Sequence, residues 1–313
     1  MDFSSALGLL QTAAELGLIS SLTVLSLFLS YSMLNVCDLS TDGCFTLGAV
    51  VGAMVAYSGH PLLSIPAAMV AGILSGFITA FLQTKMGIDS LLAGIIVNTG
   101  LYSINIAVMR NSTLVNLNFS ETIFTKLEAA LENTPLAGQY KLIIAFAAVV
   151  LVVLFLVFFL RTNLGLALRA TGNNPDMVRS SSINTATITI IGLCISNAFT
   201  ALSGCLLAQS QKSANIDIGT GMVTIALASL LIGGILFSKH RSVAVRASCS
   251  VIGALIFRLV YTAALRLHMP AYMLKLVSSI IVIIAISAPY LKKQFPKLKR
   301  RIELKSKKEA SKV

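Results

Sequence analysis

Charge is what this sequence has least of. Only 12% of its 313 residues are charged while 56% are hydrophobic, and mean hydropathy is +0.86. Soluble domains carry about a quarter charged residues, so the scarcity excludes an ordinary soluble domain and points to an integral membrane protein. Strict alternation of apolar and polar residues is also missing. The apolar residues come instead in runs of about 20, the length that crosses roughly 30 Å of hydrocarbon, which excludes a β-barrel. No polar stretch is long enough for a second domain of ordinary size. There is no CxxC and no metal-ligand spacing. Cys37, Cys44, Cys194, Cys205 and Cys249 lie scattered in or beside apolar runs, and their odd number argues against a disulfide framework. His60, His240 and His268 fall at separate loop edges and read as interfacial rather than metal-binding. The phosphate-cradling GxxxxGK[ST] loop is absent, so no cofactor is expected on this chain. No constellation of paired carboxylates supports catalysis. The first basic residue after the start is Lys85, so the N-terminus lacks the basic region of a cleavable signal.

What is there is a series of nine candidate spans: Glu15–Leu34, Gly43–Ser58, Pro61–Gln83, Leu91–Met109, Leu142–Leu160, Thr187–Gln209, Met222–Phe237, Val243–Thr262 and Pro270–Ala288. The second and seventh are short. An extra N-terminal helix over Met1–Ala13 would change the count. The expected fold is an all-α polytopic membrane protein, with 1–290 a single transmembrane domain and 291–313 a basic cytoplasmic tail. The net charge of +12 would suit nucleic acid, but its distribution does not, because ten of the 24 basic residues crowd into that tail. Anionic lipid headgroups are its expected neighbours. Basic residues mark the cytoplasmic side. With the N-terminus outside, Lys85, Arg161, Arg169, Arg179, Lys239, Arg241, Arg246 and the tail all face inward. Only Arg110, Lys126, Lys141, Lys212 and Arg266 remain outside. Arg258 and Lys275 fall within spans and are expected to snorkel or pair. The longest outer loop, Arg110–Tyr140, carries Glu121, Glu128 and Glu132. It reads either as a solvated loop with a short helix or as a landing surface for an extracytoplasmic partner.

An internal repeat is visible in the spacing. Asp38-Leu39-Ser40-Thr41 resembles Asp217-Ile218-Gly219-Thr220, and the same offset carries the second, third and fourth spans onto the seventh, eighth and ninth. Four spans return the chain to its starting side and the fifth flips it. The halves, about 15–109 and 187–288, would therefore be related by an inverted-topology repeat, joined by the span and loop at 142–186. Such repeats place a path at their interface beside broken helices. The broken places would be Asn35–Gly43 and Asn215–Gly221. The alternative is that both are ordinary loops, with Asp38, Asp42 and Asp217 as turn or cap residues. Candidate path residues are Asp38, Thr41, Asp42, Asn98, Asn197 and Asp217. Thr99, Asn105, Ser196 and Thr200 are further polar positions within spans, and small polar residues there more often pack helices together.

The polar stretch Arg161–Asn184 stands between two strongly apolar runs. Asn173-Asn174-Pro175 is a helix start, an asparagine cap followed by proline in the first turn, and predicts a short helix over 175–181. Such a helix beneath the membrane can enter a groove on a partner. Gly165–Asn184, GLALRATGNNPDMVRSSSIN, resembles the cytoplasmic coupling segment of permeases of ABC importers in the branched-chain amino acid, ribose and nucleoside group. The pattern there is G-x-A-x-R-A-x-G-x-N-x-x-x-A-x-x-x-G-I-N. Gly165, Ala167, Arg169, Ala170, Gly172, Asn174, Ile183 and Asn184 match it, while Val178 replaces an alanine and Ser182 a glycine. Asp38–Val55 is similar to the second-helix region of the same group. Within the group the likeness is to permeases encoded with a lipoprotein binding protein of uncharacterised type, to some of which aromatic amino acid import is ascribed.

The resemblance implies a plasma-membrane assembly of two permeases, expected as a homodimer, with two ABC ATP-binding subunits and an extracytoplasmic substrate-binding lipoprotein. ATP and Mg would sit on the partner, and the cargo would be a small polar solute such as an amino acid. Gly165, Arg169, Gly172, Asn173, Asn174, Pro175, Met177, Val178 and Arg179 would make the coupling segment. The competing expectations are a stand-alone secondary transporter, disfavoured by the few ionisable groups within the spans, and a membrane scaffold with no path.

Overall fold

The computed structural model describes residues 3–131, 137–236 and 242–266, with scattered positions between 273 and 287. The ninth predicted span, with Lys275, lies largely outside the described residues, as do His240, His268 and the tail. Among the described residues six helices are long and apolar enough to cross a membrane, and Thr41–Tyr57 and Met222–Ile235 are shorter apolar helices.

The first helix, α1, runs from Phe3 to Leu27 and continues through a π-helical turn at Phe28–Met33. A separate helix over Met1–Ala13 is therefore not formed, because no proline or glycine pair breaks the run. After a loop come α2 (Thr41–Tyr57), α3 (Ser64–Thr84) and α4 (Ser90–Val108). The segment between α4 and the next long helix contains strand β1 (Leu114–Asn116) and helix α5 (Ile123–Leu131). Next are α6 (Tyr140–Arg161), α7 (Asn163–Asn173), α8 (Pro175–Ser180) and α9 (Thr185–Gln211). Strand β2 (Ser213–Asn215), α10 (Met222–Leu236) and α11 (Val243–Arg266) follow. β2 pairs antiparallel with β1, Val115 opposite Ala214, and the sequence gives no hint of this pair.

Burial separates the helices into two kinds. In the most apolar 18-residue stretch of α1 and of α9, 78% of the residues are enclosed, against 28–33% in those of α3, α4 and α6. The outer helices turn Phe77, Ile78, Leu92, Ile95, Leu151 and Phe158 outward, as helices facing lipid do. The two most enclosed helices pack far along the chain from their own neighbours: α9 packs on α2 and α3, and α1 packs on α10 and α11. Shifting α2 and α3 by 179 positions predicts helices over 220–236 and 243–263, and α10 and α11 occupy Met222–Leu236 and Val243–Arg266.

Close crossings depend on small residues, the usual means of bringing helices together in lipid. A β-carbon on Gly48 of α2 would overlap the Ala201 carbonyl of α9, and one on Gly204 would overlap the Phe45 carbonyl. Between α1 and α9 hydroxyls join the helices: Ser26 and Ser196 lie 2.8 Å apart, and the Thr200 hydroxyl donates to Ser26 Oγ at 2.7 Å. Ser196 and Thr200 thus pack helices. Arg258 neither snorkels nor pairs with an acid among the described residues. It is buried with its guanidinium 5.5 Å from the Tyr261 ring centre, and cation–π attraction replaces the missing carboxylate.

Candidate functional site

The two predicted breaks meet. α2 and α10 both start inside the protein, and the N-termini of helices carry unsatisfied N–H groups and partial positive charge. Asp42, in the first turn of α2, accepts hydrogen bonds from the Gly221 and Val223 N–H groups at 2.9 and 2.8 Å. One carboxylate therefore answers the start of its own helix and caps the other. Gly221 is also the residue 179 positions after Asp42, the offset read from the sequence. Gly219 comes so close to the Asp42 carbonyl that a β-carbon would not fit, and Gly221 has φ +84°, a conformation natural only to glycine.

A cavity of about 410 Å³ lies beside this junction. Asp42, Asn98 and Asp217 from the predicted path set border it, together with Thr46, Thr99, Tyr102 and Asn105. The other three predicted residues do not. Asp38 is 1% exposed and wholly engaged: its Oδ1 accepts from the Ser40 N–H and hydroxyl at 2.8 and 2.6 Å, and its Oδ2 from the Asn197 amide at 2.8 Å. The Thr41 hydroxyl donates to the Asp38 carbonyl. Asp38, Thr41 and Asn197 therefore form a buried clasp between the α1–α2 loop and α9. Thr46 and Asn105 belong to the cavity too. Asn105 carried a signal, an amide amid apolar residues, whereas nothing in sequence sets Thr46 apart.

The segment between α6 and α9 is more structured than a single short helix. Thr162 caps α7 by accepting from Gly165 N–H, and Asn174 caps α8 by accepting from Asp176 and Met177 N–H, both at 3.1 Å. Asn184 caps α9 in the same way. α7 was not expected. It is cut from α8 because Asn174, preceding proline, is pushed to extended backbone.

The predicted coupling residues divide by direction. Gly165 lies against Phe159 and Leu160, and Gly172 against Met33 and Leu34 at the π-helical turn. Val178 is 5% exposed, whereas neighbouring Met177 is 69% exposed. Asn173, Asn174, Pro175 and Arg179 are exposed. Arg179 is held by Asp176 at 3.5 Å and by the Thr185 hydroxyl at 3.2 Å. Arg169 is half-buried, its Nε without a hydrogen-bond partner. The inward residues fasten the segment to α1 and α6, and the outward ones offer a face.

Residues 9–286 match the family described as "Branched-chain amino acid transport system / permease component". The chain is 32% identical to the tyrosine transport system permease protein of Clostridioides difficile, over 85% of this chain and 86% of that one. It is 31% identical to uncharacterized protein RP368 of Rickettsia prowazekii, over 90% and 98% of the two chains. Identity to the ribose import permease protein RbsC of Escherichia coli is 24%, over 80% and 75%. No solved structure matches.

Proposed function

The chain belongs to the family of branched-chain amino acid transport permease components, and we propose that it is the membrane subunit of an ATP-driven importer. The family is one of ABC permeases, translocation subunits rather than enzymes, and this member is a multi-pass protein of the bacterial plasma membrane. On the proposed reading ATP and Mg are bound by a separate ATP-binding subunit. An extracytoplasmic binding lipoprotein delivers the solute, and two copies of the chain form the permease pair. The cargo is a small polar solute of the amino acid class, in keeping with the 32% identity to a protein named for tyrosine transport.

The carrying observation is the seating of the coupling segment. The carbonyl of Met33, in the π-helical turn, lies directly against Gly172 of α7. Five residues beyond Met33 the chain enters the Asp38–Asn197 clasp, and at Asp42 it reaches the junction of α2 and α10. A push on the outward face of α7 and α8 thus has a short, packed route to the cavity. Single π-turns in α-helices recur at functional sites, and this one is where the two ends of the route join. In this reading α2 and α10 are the broken helices of two inverted halves, with the pseudo-twofold axis passing between Asp42 and Gly221. The energy for movement comes from differential contact with the ATP-binding subunit in two states.

Co-purification tests the reading. Replacing Arg169 and scrambling 173–178 is expected to release the ATP-binding subunit while the permease still elutes as a single species. Retention of that subunit by the scrambled chain would overturn the docking role.

A further inference from the structure

The cavity at the α2–α10 junction carries carboxylates without a matching cation, alongside the neutral groups of Asn98, Tyr102, Ser103 and Thr220, which both donate and accept. Two carboxylates border it, Asp42 and Asp217, and among the described residues no lysine, arginine or histidine does. Asp42 is occupied by backbone N–H groups, but Asp217 is exposed and makes no ion pair among the described residues. The hydroxyl protons of Thr46 and Thr99 are used on the carbonyls of Asp42 and Ile95, at 3.1 and 2.9 Å. Only their lone pairs are left for a ligand.

Asn105 supplies the independent observation. It is 1% exposed and borders the cavity. Its amide nitrogen donates to the Gly43 carbonyl at 3.3 Å, and its Oδ1 is buried with no hydrogen-bond partner. Buried polar atoms are nearly always paired, so an orphaned acceptor at a cavity wall marks where a donor arrives. A ligand for unmet acceptors and a free carboxylate brings several donors and positive charge, and a primary ammonium has three N–H donors and no acceptor. Tyr102 and Ile216 provide an apolar wall for the remainder.

Resting on the importer reading, we infer that this cavity is a subsite for the primary ammonium group of the solute. Asp217 is its counter-ion, Asn105 Oδ1 is a neutral acceptor, and the apolar part of the solute lies on Tyr102 and Ile216. A solute carboxylate finds no cation here and stays outside the subsite. The site therefore selects amines and amino acids over acids and uncharged solutes of the same shape.

Equilibrium binding of radiolabelled tyramine to the purified permease with its ATP-binding subunit tests this. Tyrosine is expected to displace tyramine, whereas 3-(4-hydroxyphenyl)propionate, which lacks the nitrogen, does so at least about tenfold less well. Asp217→Asn is expected to weaken tyramine binding by about tenfold or more, the loss of one charge-assisted contact, without releasing the ATP-binding subunit. Asn105→Leu should weaken it further, and because that position is buried, its elution profile is compared first and Asp217→Asn carries the test if it fails to fold. Equal displacement by the propionate, unchanged binding in Asp217→Asn, or no tyramine binding at millimolar concentration in an intact complex overturns the subsite and leaves the importer reading standing. A wild-type chain that binds tyramine but never associates with an ATP-binding subunit overturns the importer reading and leaves the subsite standing.

Discussion

Asp38 carries the lesson at the scale of single residues. An ionised carboxylate is tolerated in a protein interior only when its lone pairs are met, and here two Ser40 donors and the Asn197 amide meet them. Removing Asn197 as Leu should strand the charge and cost about 1.5–3 kcal/mol, the range for a hydrogen bond to a charged group. Asp38→Asn removes the charge, so the double variant Asp38→Asn/Asn197→Leu should be less destabilised than the two single losses added together, a coupling that double-mutant cycles measure. Thermal midpoints in detergent check this, and strictly additive midpoints would deny the clasp. The sequence marked Asp38 and Asn197 as unusual but not as partners, since they stand 159 positions apart. It also could not separate Asp38, sealed in the clasp, from Asp42 and Asp217 at the cavity, because all three sit in polar, glycine-bearing turns.

Helices were legible where hydropathy alone makes them. The runs behind α3, α4, α6 and α9 are long, apolar and bounded by polar residues. That α2 and α10 are shorter than these, at 17 and 15 residues, was legible too. What hydropathy does not register is geometry: the π-helical turn in α1, the cut that separates α7 from α8, and the β1–β2 pair. These depend on a single pre-proline backbone angle or on pairing between distant segments. The α2–α9 crossing is the tightest test of the packing. Gly48→Leu is expected to prevent recovery of a monodisperse protein because its side chain would have to occupy the Ala201 backbone. Gly100→Ala on α4, where nothing lies within 4 Å of an added β-carbon, should leave the midpoint unchanged or raise it, by up to about 1 kcal/mol in stability from helix propensity. Size-exclusion profiles of the two variants check the contrast, and equal tolerance at both positions would contradict the packing.

For the whole molecule the organising relation is the long-range packing of α1 and α9. α9 lies against α2 and α3, and α1 against α10 and α11. Each end of the chain then depends on a helix from the other, and separate folding of the two is not expected. The 179-residue offset was readable from Asp38–Thr41 and Asp217–Thr220, and α10 and α11 lie where it carries α2 and α3. That Asp42 would touch Gly221 was not, because spacing does not say which helix ends meet. Movement at the junction of α2 and α10 is proposed to begin at the outward face of α7 and α8, where Met177 is the most exposed apolar side chain on α8. The most direct test places a photocrosslinking amino acid at Met177 in native membranes. The account predicts an adduct with an ATP-binding subunit and no labelling of a cysteine at 177 by a membrane-impermeant reagent applied to intact cells. Labelling of that cysteine from outside, with no such adduct, would contradict it.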